Sequence, residues 1–155
     1  MNMMKAMTKT MTKLLSVATA LLILAACSEA SPTEFTSPNL HVSSANGVRL
    51  ITQNVVPAAS MEALFQGRLS LDDRGCIRLD SEDDATVVWP HGFTAEPTVE
   101  GIFVRDADGA FFGRVGDELS LVGGEVATLH EGMGFTEDDR SLATQHCPGR
   151  YWIVS

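Results

Sequence analysis

The architecture shows first in MEALFQGRLSLDDRGCIRLD, residues 61–80. Phe65, Gly67, Leu69 and Leu71 recur at every second position, the period that turns one face of a strand toward a core. Gly67 inside that run predicts a bend or bulge, as a curving barrel strand needs. DDRG at 72–75 is a polar turn, and CIRLD at 76–80 returns as the antiparallel partner.

The same texture continues downstream. SEDDA (81–85) is the next turn, and TVVWP (86–90) is a strand stopped by proline. GIFVRD (101–106) and AFFGRV (110–115) flank ADG (107–109), a hairpin signal. GDELSLVGG (116–124) supplies a turn, a strand and a double glycine. TEDDRSLATQH (136–146) predicts a short helix, with Thr136 as its cap and acids in its first turn. RYWIVS (150–155) closes the chain as a strand. Residues 61–155 therefore predict an all-β unit, a small antiparallel barrel of five to six strands with one short helix. The expected core is Leu64, Leu69, Leu71, Ile77, Leu79, Val87, Trp89, Ile102, Val104, Phe112, Val115, Leu119, Leu121, Trp152 and Val154. Phe111 and Phe112 are consecutive, so in a regular strand they point to opposite faces. One of them should be exposed, which marks this hairpin as the expected contact surface.

The succession MEALFQGRLSLDDRGCIRLD, VVWPHG, VRDADG, VGDELSLVGG and CPGRYWIV resembles a small OB-like barrel domain of bacterial lipoproteins. The shared pieces are a glycine within the first strand, a cysteine opening the second, WP, VGD with a later GG, and a late cysteine before Tyr-Trp. The resemblance implies a fold over 61–155 and no activity.

Upstream, residues 28–47 (SEASPTEFTSPNLHVSSANG) are rich in Ser, Pro, Thr and Asn, and read as a flexible tether. Residues 48–60 (VRLITQNVVPAAS) read either as an extra strand or as an ordered linker interrupted by Pro57. The first thirteen residues carry Lys5, Lys9 and Lys13 and no acid, and residues 14–26 carry no charge. A basic segment followed by a short apolar run is the plan of an export signal. As a helix that run reaches only about 20 Å, short of the ~30 Å hydrocarbon core of a bilayer. It ends in LAAC, residues 24–27, which resembles the lipobox of bacterial lipoproteins. That resemblance implies cleavage before Cys27, lipidation of its thiol, and residence in the cell envelope. Ser28 follows the cysteine, so a host with two membranes would hold the protein at the outer one. A host with one membrane would hold it on the outer face of the cytoplasmic membrane. The expected organisation is a signal at 1–26, a lipidated cysteine and linker at 27–60, and the barrel at 61–155.

All three lysines lie in the signal, so residues 28–155 carry eight arginines against twenty acids. Such a surface repels phosphate backbones, and an oligonucleotide-binding barrel needs a basic groove with stacking aromatics. No nucleic-acid partner is expected. DADGAFFGRVGDE (106–118) begins like a calcium loop but has Ala110 and Phe111 where an oxygen ligand and a glycine are required. His41, His91, His130 and His146 lie at no zinc-binding spacing, and Gly123–Gly124 has no Lys-Ser/Thr sequel to make a phosphate loop. No nucleophile signature is present, and Asp72/Asp73 and Asp83/Asp84 fall in turns. The expectation is a non-enzyme with no cofactor and no metal.

Three cysteines remain to be placed. With Cys27 assigned to lipid, Cys76 and Cys147 form an even pair in an exported chain and predict a disulfide. The alternatives are two buried thiols, or a metal shared with His146. For function, the leading expectation is a lipid-anchored acidic barrel that binds an envelope protein or a small ligand. The others are a structural or stress-related surface domain without a ligand, and an inhibitor of a cationic envelope hydrolase.

Overall fold

A computed structural model describes residues 32–55, 61–80 and 84–155. The segment expected to be a signal at 1–26, Cys27 and the first residues of the expected tether lie outside the described residues. The strands are β1 (Thr33–Thr36), β2 (Leu40–Ala45), β3 (Val48–Gln53), β4 (Ala63–Leu71), β5 (Ile77–Asp80), β6 (Ala85–Trp89), β7 (Thr94–Thr98), β8 (Gly101–Arg105), β9 (Phe111–Arg114), β10 (Glu118–Val126) and β11 (Arg150–Val154). A 3-10 turn at Glu131–Met133 and helix α1 (Glu137–His146) connect β10 to β11.

Five strands close a small OB-like barrel. β4 pairs with β5, β5 with β6, β10 with β11 and β10 with β4, all antiparallel, while β6 and β11 pair in parallel. In β4 the alternation works as expected over most of its length: Leu69 is buried and the Phe65 ring packs against the core. A Cβ on Gly67 would meet that ring at 2.5 Å, so the glycine is the groove in which Phe65 lies. Phe65 reaches Trp152 with ring centroids 5.5 Å apart. The barrel interior is filled by large side chains, among them Leu69, Ile77, Leu79, Val87, Trp89, Leu121 and Trp152. Leu64 and Leu71, expected in the core, are 60% and 39% exposed. Leu64 lies on the outward parity of β4, opposite Val122 of β10, and Leu71 ends the strand at the turn.

β6 and β11 are buried at almost every position, because both of their faces are covered. One face points into the barrel. The other faces a second apolar layer built from Leu40, Val42, Ile51, Leu129, Phe135 and Ala143, against which Val88, Tyr151 and Ile153 pack.

Two expectations are corrected here. Residues 33–45, assigned to a tether, form β1 and β2, and Val48–Gln53 takes the extra-strand alternative left open for 48–60, as β3. Asn46 and Gly47 both take positive φ (50° and 81°), as a two-residue hairpin turn requires. β3 then pairs in parallel with the end of β6, Ile51 beside Val88 and Thr52 beside Trp89. β5 holds the beginning of that same edge, Leu79 beside Ala85 and Arg78 beside Thr86. One edge of β6 is thus shared between two strands. The second correction concerns the ADG hairpin. Its strands, β8 and β9, join β7 in a separate three-stranded sheet and pair with no barrel strand. Pro90 ends β6, and the chain turns to lay Phe93 and Phe112 on Trp89, at centroid distances of 5.5 and 5.6 Å. This sheet plugs one end of the barrel.

Candidate functional site

The chain places its chemistry-bearing side chains in four spots. The first is a disulfide between Cys76 and Cys147, with Cα atoms 5.8 Å apart and both residues fully buried. It joins the end of the β4–β5 turn to the C-cap of α1. The metal alternative falls with it, because both sulfurs are bonded to each other. His146 does lie beside the bond, with its carbonyl 3.4 Å from the Cys76 sulfur, but its ring lies against Phe35, tilted by 34° with centroids 4.2 Å apart. Burial and the neighbouring Arg49 lower the pKa of that imidazole below its ordinary value.

The second spot was not visible in the sequence as more than a first-turn acid. Asp139 is fully buried. Its Oδ1 accepts from the Ser37 hydroxyl (2.7 Å) and the Asn39 backbone N–H (2.8 Å). Its Oδ2 accepts from the Asn39 side-chain amide (2.9 Å), the Thr136 N–H (2.6 Å) and the Thr136 hydroxyl (2.8 Å). Thr136 caps α1 as expected, and Asp139 completes a capping box with it. Burial alone would raise this carboxyl; the donors from Thr136, Ser37 and Asn39 outweigh it and hold the pKa at about 2. The carboxylate is therefore a latch between the β1–β2 turn and α1. Every donor is spent on structure, so it has the wrong surroundings for a general acid or base.

The third spot is the β8–β9 hairpin. Phe112 turns inward onto Trp89 and Phe93, while Phe111 is 58% exposed, which is the split expected from consecutive positions. Phe103 joins Phe111 on the outer side, with centroids 6.1 Å apart. Arg105 stands opposite Phe111 in the ladder and pairs with Glu96 at 2.6 Å. Arg114 stands opposite Phe103 and pairs with Asp117 at 3.5 Å. The result is an aromatic pair framed by two arginines.

The fourth is an open groove of about 360 Å³ beside α1. Leu129 and Phe135 form its apolar floor. His130, Glu131, Glu137 and Arg140 stand around it, the last two joined as an ion pair. Nothing in the spacing of these residues announced a groove, because the 3-10 turn that brings His130 and Glu131 over Phe135 has no strong sequence signature. Among the described residues, no group of three or more His, Cys, Asp or Glu side chains is placed to hold a metal ion. Tyr151, on the outer face of β11, has its phenol pushed up by burial, against the pull of Thr144 and Arg78. No protein-family model, curated protein or solved structure matches this chain.

Proposed function

We propose that this chain is a lipid-anchored protein of the cell envelope, cut before Cys27 and acylated on it, whose acidic barrel is a non-catalytic binding module for an envelope protein or a small ligand. The observation that carries the reading is the use of the cysteines. Cys76 and Cys147 are bonded to each other, and the one cysteine left over stands directly after a charge-free run of thirteen residues. A buried structural disulfide suits an oxidising compartment, where an export signal would deliver the chain. Two features support binding. The groove beside α1 combines an apolar floor with convergent polar groups, and the hairpin exposes Phe111 beside a partly buried Phe103. The filled barrel interior supports docking on the outside rather than a ligand held within.

The test is Cys27→Ser in the full chain, expressed in an envelope-bearing bacterial host. Metabolic fatty-acid labelling and retention in the membrane fraction should both be lost, since each buried acyl CH₂ contributes about 0.8 kcal/mol to anchoring. Labelling that persists in the variant overturns the proposal.

A further inference from the structure

We infer that the anchor is a short leash, which holds the β2–β3 turn end of the domain against the bilayer and points the β8–β9 tip away from it. This rests on the proposed lipidation of Cys27. Five residues, 28–32, lie between that cysteine and Thr33, the first residue of β1. Whatever path they take, six Cα steps at ~3.3–3.6 Å allow about 20 Å from anchor to strand. A linker running to residue 60 would instead give a flexible-chain separation of roughly 30 Å and a full stretch of about 110 Å. The N-terminal hairpin changes the reach of the domain several-fold.

The place where β1 begins sets the orientation. Thr33 pairs with Ser44, two residues from the Asn46–Gly47 turn. That turn sits on the β4–β5 turn: the Arg49 N–H donates to the Gly75 carbonyl at 2.6 Å, and the Gly47 carbonyl occupies the space a Gly75 side chain would need. Thr33, the β2–β3 turn and the Asp73–Arg74 tip therefore share one end of the molecule. The far end of the hairpin, Leu40 beside Gln53, meets the other sheet. His91 Nδ1 donates to the Gln53 carbonyl at 3.2 Å, and Gly92 lies directly under Ala107 at the β8–β9 tip. The six-residue length of β2 and β3 puts about 20 Å between these ends. The β8–β9 tip is thus carried at the end away from the anchor, while the other end of β9 rests on β4, where the Gly116 N–H donates to the Leu69 carbonyl at 2.8 Å; the bilayer is the partner of the opposite end.

Fluorescence transfer on the lipidated full chain tests this. Asp73→Cys and Asp108→Cys, both exposed in turns, each receive a donor dye, while the buried Cys76–Cys147 bond is out of reach of the reagent. Glu34→Cys in β1 serves as a second anchor-end position apart from the disulfide. The proteins are placed in phosphatidylethanolamine–phosphatidylglycerol vesicles that carry an acceptor on the headgroup. Transfer should be higher from positions 34 and 73 than from 108. An insert of about twenty Gly/Ser residues between Ser31 and Pro32 should remove that difference. Equal transfer from both ends with the native leash, in protein that stays on the vesicles, overturns the inference and leaves lipidation standing. Failure of the unlabelled full chain to stay on vesicles overturns both.

Discussion

The barrel interior and the layer outside it are held by different means. Inside, apolar side chains from five strands meet around Leu79, Trp89 and Leu121, and the ladder closes on itself. Outside, the β1–β3 segment and α1 cover one wall of the barrel through an apolar layer and the short β3–β6 ladder, and a few bonds between distant parts of the chain pin them there. One is the disulfide, 71 positions in span, and another is the Asp139 latch, which reaches back about a hundred positions to Ser37 and Asn39. A closed ladder distributes its stability over many small contacts. A covering layer concentrates it in a few, and single changes there should release one part of the molecule before the rest.

The largest expected effect is on the covalent tie. Replacing Cys76 and Cys147 together with Ala should cost about 4 kcal/mol, from the closure entropy of a loop this long. Hydrogen exchange should show this loss in the slowest amides of β4 and β10, which open only on global unfolding, while β2 and β3 change less. Loss confined to β2 and β3 would move the bond's contribution from the unfolded chain to the outer layer. Next, Leu79→Ala removes a fully buried barrel side chain and should cost about 3 kcal/mol in denaturant unfolding. Here protection should fall in both layers together, because the outer one has only the barrel wall to lie on.

The latch gives a smaller effect with a definite sign. The Asp139 pKa is about 2 when folded, against an ordinary value of 3.8. The folded state therefore favours the ionised form, and its contribution is complete above about pH 5. About 2 kcal/mol should be lost as the pH falls from about 5 to 2. Asp139→Asn should be less stable than the parent at pH 7 and should show a flatter acid limb; an unchanged limb would remove the latch from the account. The smallest effect is expected at Phe111→Ser, within about 0.5 kcal/mol, because the ring is more than half exposed. A larger cost would mean that the hairpin belongs to the core rather than to a contact surface.

The barrel was legible in the sequence because its residues obey local rules. Alternation in β4, the polar turn before Cys76, the capping threonine of α1 and the parity of Phe111 and Phe112 all act over a few residues. The outer layer was less legible for a physical reason. β2 contains Ser-Ser and β1 is a four-residue edge with every residue exposed, so their composition resembles a tether. Two signals were nonetheless present. Asn46–Gly47 between apolar positions marks a hairpin. The unbroken apolar runs of β6 and β11 mark strands covered on both faces, which a bare small barrel would not need. The groove beside α1 and the five donors around Asp139 depend on tertiary placement, and no spacing in the sequence encodes them.

The shared edge of β6 also orders events in time. β3 is synthesised before the strand it leans on, and its seat beside Val88 exists only once residues 85–89 have emerged. The layer it helps to build further requires α1, and its latch requires Asp139, both near the end of the chain. The segment that leaves the ribosome early is thus among the last to gain its full set of contacts. Until residues 85–89 emerge, the edge of β3 has no strand neighbour but β2. Nothing near the N-terminus needs to be finished before the C-terminus arrives.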